Sequence, residues 1–171
     1  MEQLLIPKER ARLLSKEIRD ISKRLECKLR ISQGNTVVID GEPYAEYNAK
    51  NVIQAFGRGF DMRTSYKLLQ EAYFFKYIDM KDMLRKSDQI RRIKARIIGE
   101  DGKTKKYIES VSNVSLSIYG NTIGLIGTIE DIGIATSAIE VLLGGGTHKK
   151  AYRLMELARR RAEEEAFAPK R

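Results

Sequence analysis

The chain has 171 residues, with 32 Lys and Arg against 23 Asp and Glu, a net charge of +9 and a pI near 9.6. That length allows one domain or two small ones, and the charge indicates a polyanionic partner, nucleic acid before an anionic membrane. No apolar stretch approaches the roughly 20 residues of a membrane span. One cysteine, Cys27, excludes an internal disulfide and a cysteine metal cluster, and one histidine argues against a zinc site or a Ser-His-Asp triad.

The beginning of the chain, Met1-Glu2-Gln3, is not the basic opening of a secretory signal. These features together predict a cytoplasmic protein with no metal, no cofactor and no membrane segment.

The predicted elements follow the same order twice. In the first copy a strand at 4–6 precedes Leu13 and Leu14, a helix at 16–25, strands at 27–32 and 35–39, and a helix at 45–56. A helix at 62–72 links the copies. In the second copy a strand at 73–78 precedes a helix carrying Ile90, Ile93 and Ile97, a helix at 104–111, strands at 114–118 and 122–126, and a helix at 131–143. In the strand at 114–118, the apolar residues alternate with Ser115 and Ser117, which predicts one buried face and one solvent-exposed face.

An internal repeat supports this organisation. Cys27 and Val114 lie 87 positions apart, as do Ile31 and Ile118, and the glycine turns at Gly34 and Gly120 lie 86 apart. The sequence therefore predicts an α+β fold made of two copies of one small domain, each β-α-α-β-β-α.

Positive charge is concentrated in one stretch of the second copy. Residues 85–106 hold nine basic and three acidic residues, whereas 107–147 contain no Lys or Arg. A charge run of this kind is often only a solvated helix face. Its position around a glycine loop favours a binding surface.

That loop has the pattern Gly-x-x-Gly between two predicted helices. Glycine lets a ligand approach the backbone, and the N–H groups at the start of the following helix can face a phosphate. The same logic operates in KH domains, whose GXXG loop clamps single-stranded nucleic acid. The alternative to a binding loop is an ordinary helix–helix turn. The candidate RNA-binding residues are Arg96, Ile98, Gly99, Glu100, Asp101, Gly102, Lys103, Thr104, Lys105 and Lys106.

The loop at 96–104, the paired Gly-Asn-Thr turns and the segment 55–60 (Ala-Phe-Gly-Arg-Gly-Phe) resemble the archaeal tandem-KH ribosome-biogenesis proteins, relatives of the partner-of-Nob-one or Dim-two-like family. The resemblance covers roughly residues 3–161. It implies two type I KH domains in tandem plus a C-terminal helix. We expect a degenerate KH domain at 1–57, a connecting helix at 58–72, a KH domain with the GXXG loop at 73–146, and a basic and acidic helix with a tail at 147–171.

The resemblance also implies a function. It predicts a non-enzymatic assembly factor that binds single-stranded small-subunit (16S) ribosomal RNA near its 3′ end during pre-rRNA processing. The implied partners are the endonuclease that trims that end and translation initiation factor two. A protein-binding scaffold with degenerate KH copies is the alternative, and an enzyme would need an acidic metal cluster that the sequence does not display.

Two departures from the family pattern bear on the site. The first copy is shorter between Leu14 and Ile21 and has no glycine there, so it lacks the clamp loop and is not expected to bind RNA in the usual way. Both variable positions of the second loop, Glu100 and Asp101, are acidic where phosphate should pass. We expect a side chain at Gly99 or Gly102 to block RNA with little effect on stability.

Further candidates lie outside the loop. The triple glycine at 144–146 is explained by a helix that ends and restarts, but Lys149 and Lys150 after it are candidate phosphate contacts. Tyr107 and Tyr119 could stack on bases or belong to the core. Arg58, Arg92, Lys94, His148 and Arg153 complete the set of possible RNA-binding residues.

Overall fold

A computed structural model describes residues 1–167, so the last four residues of the predicted tail lie outside the described part. The chain divides into two compact units, Met1–Glu71 and a second unit that begins at Ala72. No described helix combines the length and the hydrophobicity needed to cross a membrane.

The first unit packs helices on one antiparallel sheet. Strand β1 (Glu2–Leu5), helix α1 (Lys8–Leu25), strands β2 (Lys28–Ile31) and β3 (Thr36–Asp40) and helix α2 (Pro43–Gly57) follow one another, and β3 lies between β1 and β2. The predicted connecting helix is short: α3 (Met62–Ser65) runs into a 3₁₀ turn, Tyr66–Leu69.

The second unit has the same sheet order. Strand β4 (Phe74–Asp79), helices α4 (Ser87–Ile98) and α5 (Lys103–Ser112), strands β5 (Ser115–Tyr119) and β6 (Thr122–Gly127) and helix α6 (Ile129–Leu143) follow in sequence, and β6 lies between β4 and β5. A long helix, α7 (His148–Phe167), comes last. The predicted α+β class, with its duplicated arrangement, is confirmed.

The repeat has a direct packing explanation. A Cβ at Gly41 would lie 2.9 Å from the sulfur of Cys27, and a Cβ at Gly127 would lie 3.0 Å from Cγ1 of Val114. Cys27 and Val114 are both buried, so each repeats the same inward position beside the same glycine. Neither glycine can gain a side chain without displacing its core neighbour.

The first copy differs from the prediction in its helices. Instead of two helices it has the single helix α1, so its order is β-α-β-β-α and the predicted β-α-α-β-β-α is wrong for this copy. Without a glycine between Leu14 and Ile21 nothing interrupts the helix, and buried residues at helical spacing continue along it. Leu14 is 0% exposed and Leu13 is 43% exposed, so Leu14 alone takes the core position.

The core of the second unit lies between its sheet and its helices. Ile97 from α4, Ile108 from α5, Leu125 from β6 and Ile139 from α6 are completely buried within it. Every residue of β6 is buried. The predicted solvent exposure of the serine face of β5 is wrong at Ser117, which is only 8% exposed. Alternation of apolar and polar residues separates the two faces of a strand, but it does not show whether the polar face is exposed to solvent.

Candidate nucleic-acid interface

The glycine loop forms a tight corner between α4 and α5. The N–H of Gly99 donates to the carbonyl of Ala95 at 2.8 Å and closes α4, and the N–H of Gly102 donates to the carbonyl of Gly99 at 3.2 Å. Gly99 has φ 73° and ψ 173°, a region that only glycine visits readily. Asp101 and Gly102 both follow in the left-handed region, with φ 52° and 74°.

The two glycines have different surroundings. A Cβ at Gly99 would lie 2.7 Å from the backbone nitrogen of Thr104 and closer still to its hydroxyl, so this glycine is packed against the first turn of α5. A Cβ at Gly102 would meet nothing within 4 Å. The structure therefore leaves room for a side chain at Gly102 but not at Gly99, although φ 74° strains any other residue at Gly102.

Helix α5 begins at this open side without a capping side chain. Gly102 occupies the N-cap and supplies no side-chain hydrogen bond, and the N–H of Lys103 donates to the carbonyl of Glu100. The next N–H groups of the first turn therefore have no side-chain cap and leave a partial positive charge. Lys103 and Lys106 are exposed and Lys105 is half-buried, and none of them lies within ion-pair distance of a carboxylate in residues 1–167. This end of α5 is suited to bind an anion.

The two acidic residues of the loop are also exposed and unpaired among the described residues. A phosphate about 5 Å from the carboxylate of Glu100 or Asp101 would be repelled by roughly 1–3 kcal/mol at an effective dielectric of ~20 to 80. The repulsion is comparable in size to the attraction from a neighbouring lysine, so the net electrostatic effect on an anion at the loop is the balance of the two.

The start of α7 lies beside the end of α4. The guanidinium Nη2 of Arg96 donates to the carbonyl of Gly146, and Nε2 of His148 donates to the carbonyl of Arg96 at 2.9 Å. Lys149 and Lys150 come next in the chain and are exposed, as is Arg153 one turn further on. The start of α7, which carries these cations, is thus bonded to the last turn of α4, the helix that leads into the glycine loop.

The triple glycine before α7 ends α6, as predicted. The N–H of Gly144 donates to the carbonyl of Glu140, that of Gly145 to Leu142 and that of Gly146 to Val141. Gly145 takes φ 81°, which lets the chain reverse before α7 starts.

The remaining predicted residues divide into three groups. Arg92 is exposed one turn before Arg96, and Ile98 is 37% exposed at the mouth of the loop. Lys94 is half-buried on α4. The side chain of Thr104 is buried, 5% exposed, so it does not form part of the exposed surface around the loop. Arg58 lies in the first unit, directly after α2.

A set of contacts beneath the loop is not among the features predicted from the sequence. The Tyr152 hydroxyl donates to Oγ1 of Thr104 at 3.2 Å, and the Tyr107 hydroxyl donates to the carboxylate of Glu156. The rings of Tyr107 and Tyr152 pack with centroids 4.5 Å apart, so Tyr107 is not a free base-stacking platform. The hydrogen bond to Glu156, with some burial, raises the pKa of Tyr107. The sequence does carry one sign of these contacts: His148, Tyr152 and Glu156 are spaced i, i+4, i+8, which puts them in a row on one face of a helix.

Two further observations concern metal ligands and the single thiol. Within residues 1–167 there is no group of three or more His, Cys, Asp or Glu side chains placed to hold a metal ion. Cys27 is a buried free thiol, and burial raises its pKa.

A three-stranded antiparallel sheet in the order β4-β6-β5, two helices joined by a Gly-x-x-Gly loop and a third helix on the same sheet define a type I KH domain. Residues 74–160 match the profile of the second KH domain of PNO1 proteins, described as a eukaryotic type KH-domain (KH-domain type I). The chain belongs to the PNO1/Dim2-like family of KH proteins.

Individual relatives agree with this assignment. A KH domain-containing protein of Methanocaldococcus jannaschii is 36% identical and matches 98% of this chain and 78% of its own length. The pre-rRNA-processing protein PNO1 of Chaetomium thermophilum is 30% identical over 66% of this chain, and the chain spans about half of that protein, 44%. The structure of an a/eIF2alpha–aDim2p–rRNA complex from Pyrococcus horikoshii matches with a TM-score of 0.85, 32% identity and 94% coverage of both chains.

Proposed function

We propose that this protein binds single-stranded RNA through the glycine-loop surface of its second unit and acts by binding, without catalysis. The observation that carries the proposal is the open side of Gly102, where an uncapped helix start meets exposed lysines. Backbone N–H groups at such a corner can hold successive phosphates, and the exposed part of Ile98 offers an apolar surface to a base. Lys149, Lys150 and Arg153 would continue the positive surface along α7.

We further propose that the RNA is small-subunit ribosomal RNA near its 3′ end, bound in the cytoplasm during pre-rRNA processing. Two relatives support the choice: a pre-rRNA-processing protein of Chaetomium and an archaeal Dim2p complex that contains rRNA. The same complex contains the α subunit of initiation factor two, which supports that factor as a partner. The endonuclease that trims the 3′ end is the second partner proposed.

The first unit would contribute to RNA binding differently from the second. Its helix α1 runs without interruption where the second unit has its loop, so it offers no glycine corner and no second helix start. We propose that this unit does not clamp RNA through a loop of the GXXG type.

The decisive experiment measures RNA affinity in two kinds of variant, one that changes the charge of the loop and one that fills the open space at Gly102. Glu100→Lys with Asp101→Lys replaces repulsion by attraction, so it should raise affinity for a 3′-end rRNA fragment, more at low salt than at high salt. Gly102→Asn keeps a residue type that accepts a left-handed backbone but fills the approach to the loop, so it should lower affinity. Circular dichroism confirms that each variant is folded.

The outcomes separate RNA binding from the scaffold alternative. Affinity that falls steeply with salt and responds to both loop variants supports the RNA proposal. If the lysines bring no gain and Gly102→Asn no loss, RNA does not bind at this loop, and Lys149 and Lys150 become the next site to test. A salt-independent affinity, or no affinity for any rRNA fragment, would favour the protein-binding scaffold.

A further inference from the structure

We propose that helix α7 is a positioning element of the RNA-binding loop, holding it through the stripe formed by His148, Tyr152 and Glu156. This inference rests on the proposed function and extends it, because it assigns a role to residues that contact the loop and not the RNA. Tyr152 is the central residue of the stripe.

The stripe reaches both helices that flank the loop. His148 bonds to the carbonyl of Arg96 in the last turn of α4, and Tyr152 bonds to Thr104 in the first turn of α5. Glu156 accepts the hydrogen bond of Tyr107, one turn further along α5. Because the three residues lie at i, i+4 and i+8 of one helix, they form a row, and α7 is attached on both sides of the corner.

Thr104 carries the contact from α7 to the glycine loop itself. Its side chain is buried, its hydroxyl accepts from Tyr152, and the backbone of Gly99 lies directly against it, with no room for a Cβ between them. Gly99 adopts a backbone conformation that is accessible to glycine but not stabilised by any side chain of its own. The contact from Tyr152 through Thr104 therefore supplies support that the loop sequence lacks.

Support of this kind matters for affinity. A loop with two glycines loses much conformational freedom when a ligand fixes it, and that loss weakens binding. If α7 already holds the corner in the free protein, less freedom is lost when RNA binds. The ring of Tyr152 is itself held between Tyr107 and His148, at centroid distances of 4.5 and 6.0 Å, so the hydroxyl is presented to Thr104 in a fixed direction.

The test is a double-mutant cycle on one hydrogen bond. Tyr152→Phe and Thr104→Val each remove one of its partners with little change of shape, so each should lower RNA affinity about two- to tenfold, the effect of one neutral hydrogen bond. The double variant should lose no more than either single one. Thr104→Ser keeps the hydroxyl and should restore most of the affinity, and Tyr44→Phe, at an exposed tyrosine of the first unit, is the matched control.

Two further measurements distinguish positioning of the loop by Tyr152 from direct contact of Tyr152 with RNA. The slope of log affinity against log salt should stay unchanged in Tyr152→Phe, whereas Lys103→Ala should reduce it by about 0.7 if that lysine contacts a phosphate. In the protein without RNA, amide hydrogen exchange across Gly99–Lys106 should become faster in Tyr152→Phe and not in Tyr44→Phe.

Each outcome decides one of the two proposals. Unchanged affinity and unchanged exchange in Tyr152→Phe, beside a loss in Lys103→Ala, would overturn the positioning role and leave RNA binding in place. Absence of RNA binding by the unmodified protein would overturn the proposed function. The exchange rates without RNA would still show whether α7 holds the loop.

Discussion

Gly99 is the loop position at which a side chain should be most damaging. Its backbone, at φ 73° and ψ 173°, lies where other residues are strained by about 1–3 kcal/mol. A Cβ there would also stand 2.7 Å from the nitrogen of Thr104, and relieving such crowding typically costs a further 1–3 kcal/mol or so. We expect Gly99→Ala to lower the free energy of unfolding of the second unit by about 2–5 kcal/mol.

Gly102 is the matched control for this change. It also has a positive φ, 74°, but the space around its missing side chain is open. An alanine there costs about 1–2 kcal/mol in backbone strain, part of which is offset by the loss of glycine freedom in the unfolded chain. Gly102→Ala should therefore destabilise the protein by only about 1 kcal/mol.

The assay has to report on the second unit by itself, because a chain of two units need not unfold in one step. Amide hydrogen exchange of the buried strand β6, followed in increasing urea, gives that reading. The reasoning is refuted if the two alanine variants lose equal stability, or if Gly99→Ala loses less than Gly102→Ala.

Three further predictions concern the core of the first unit and two ionisable groups. Leu14→Ala should destabilise the first unit by roughly 2–5 kcal/mol and Leu13→Ala by far less, in denaturant unfolding, because only Leu14 is fully buried; equal losses would contradict the assignment of Leu14 to the core. Burial raises the pKa of Cys27, so a thiol reagent should label it slowly at pH 8 until the first unit unfolds, and rapid labelling of the native protein would oppose this. The hydrogen bond to Glu156 raises the pKa of Tyr107 in the folded protein. The stability that this hydrogen bond contributes should therefore be complete below about pH 10, the ordinary pKa of tyrosine, and lost as the pH rises through the higher pKa of the folded protein. Ultraviolet titration of the tyrosines, combined with unfolding measurements at each pH, would test this.

The sequence by itself determined the duplicated α+β arrangement, the order of elements in the second unit and the position of the loop. Apolar residues at helical spacing in α4, alternation in β5 and glycine turns are local patterns, and the 87-residue repeat of Cys27 and Val114 showed that one pattern occurs twice. The missing glycine between Leu14 and Ile21 likewise indicated that the first copy lacks a clamp loop. These features are patterns of residue type and spacing along the chain, so they can be read without coordinates.

The tertiary structure decided which of those residues support one another. Only the packing of α7 against α6 and α5 brings Tyr152 to Thr104, 48 positions apart in the chain, next to a buried threonine that the loop motif alone would have assigned to RNA. Gly99 and Gly102 are indistinguishable within the motif, yet one is closed by Thr104 and the other is open. Close approach between distant segments fixes these differences, because the space beside a residue depends on the elements packed against it and not on its own sequence neighbours.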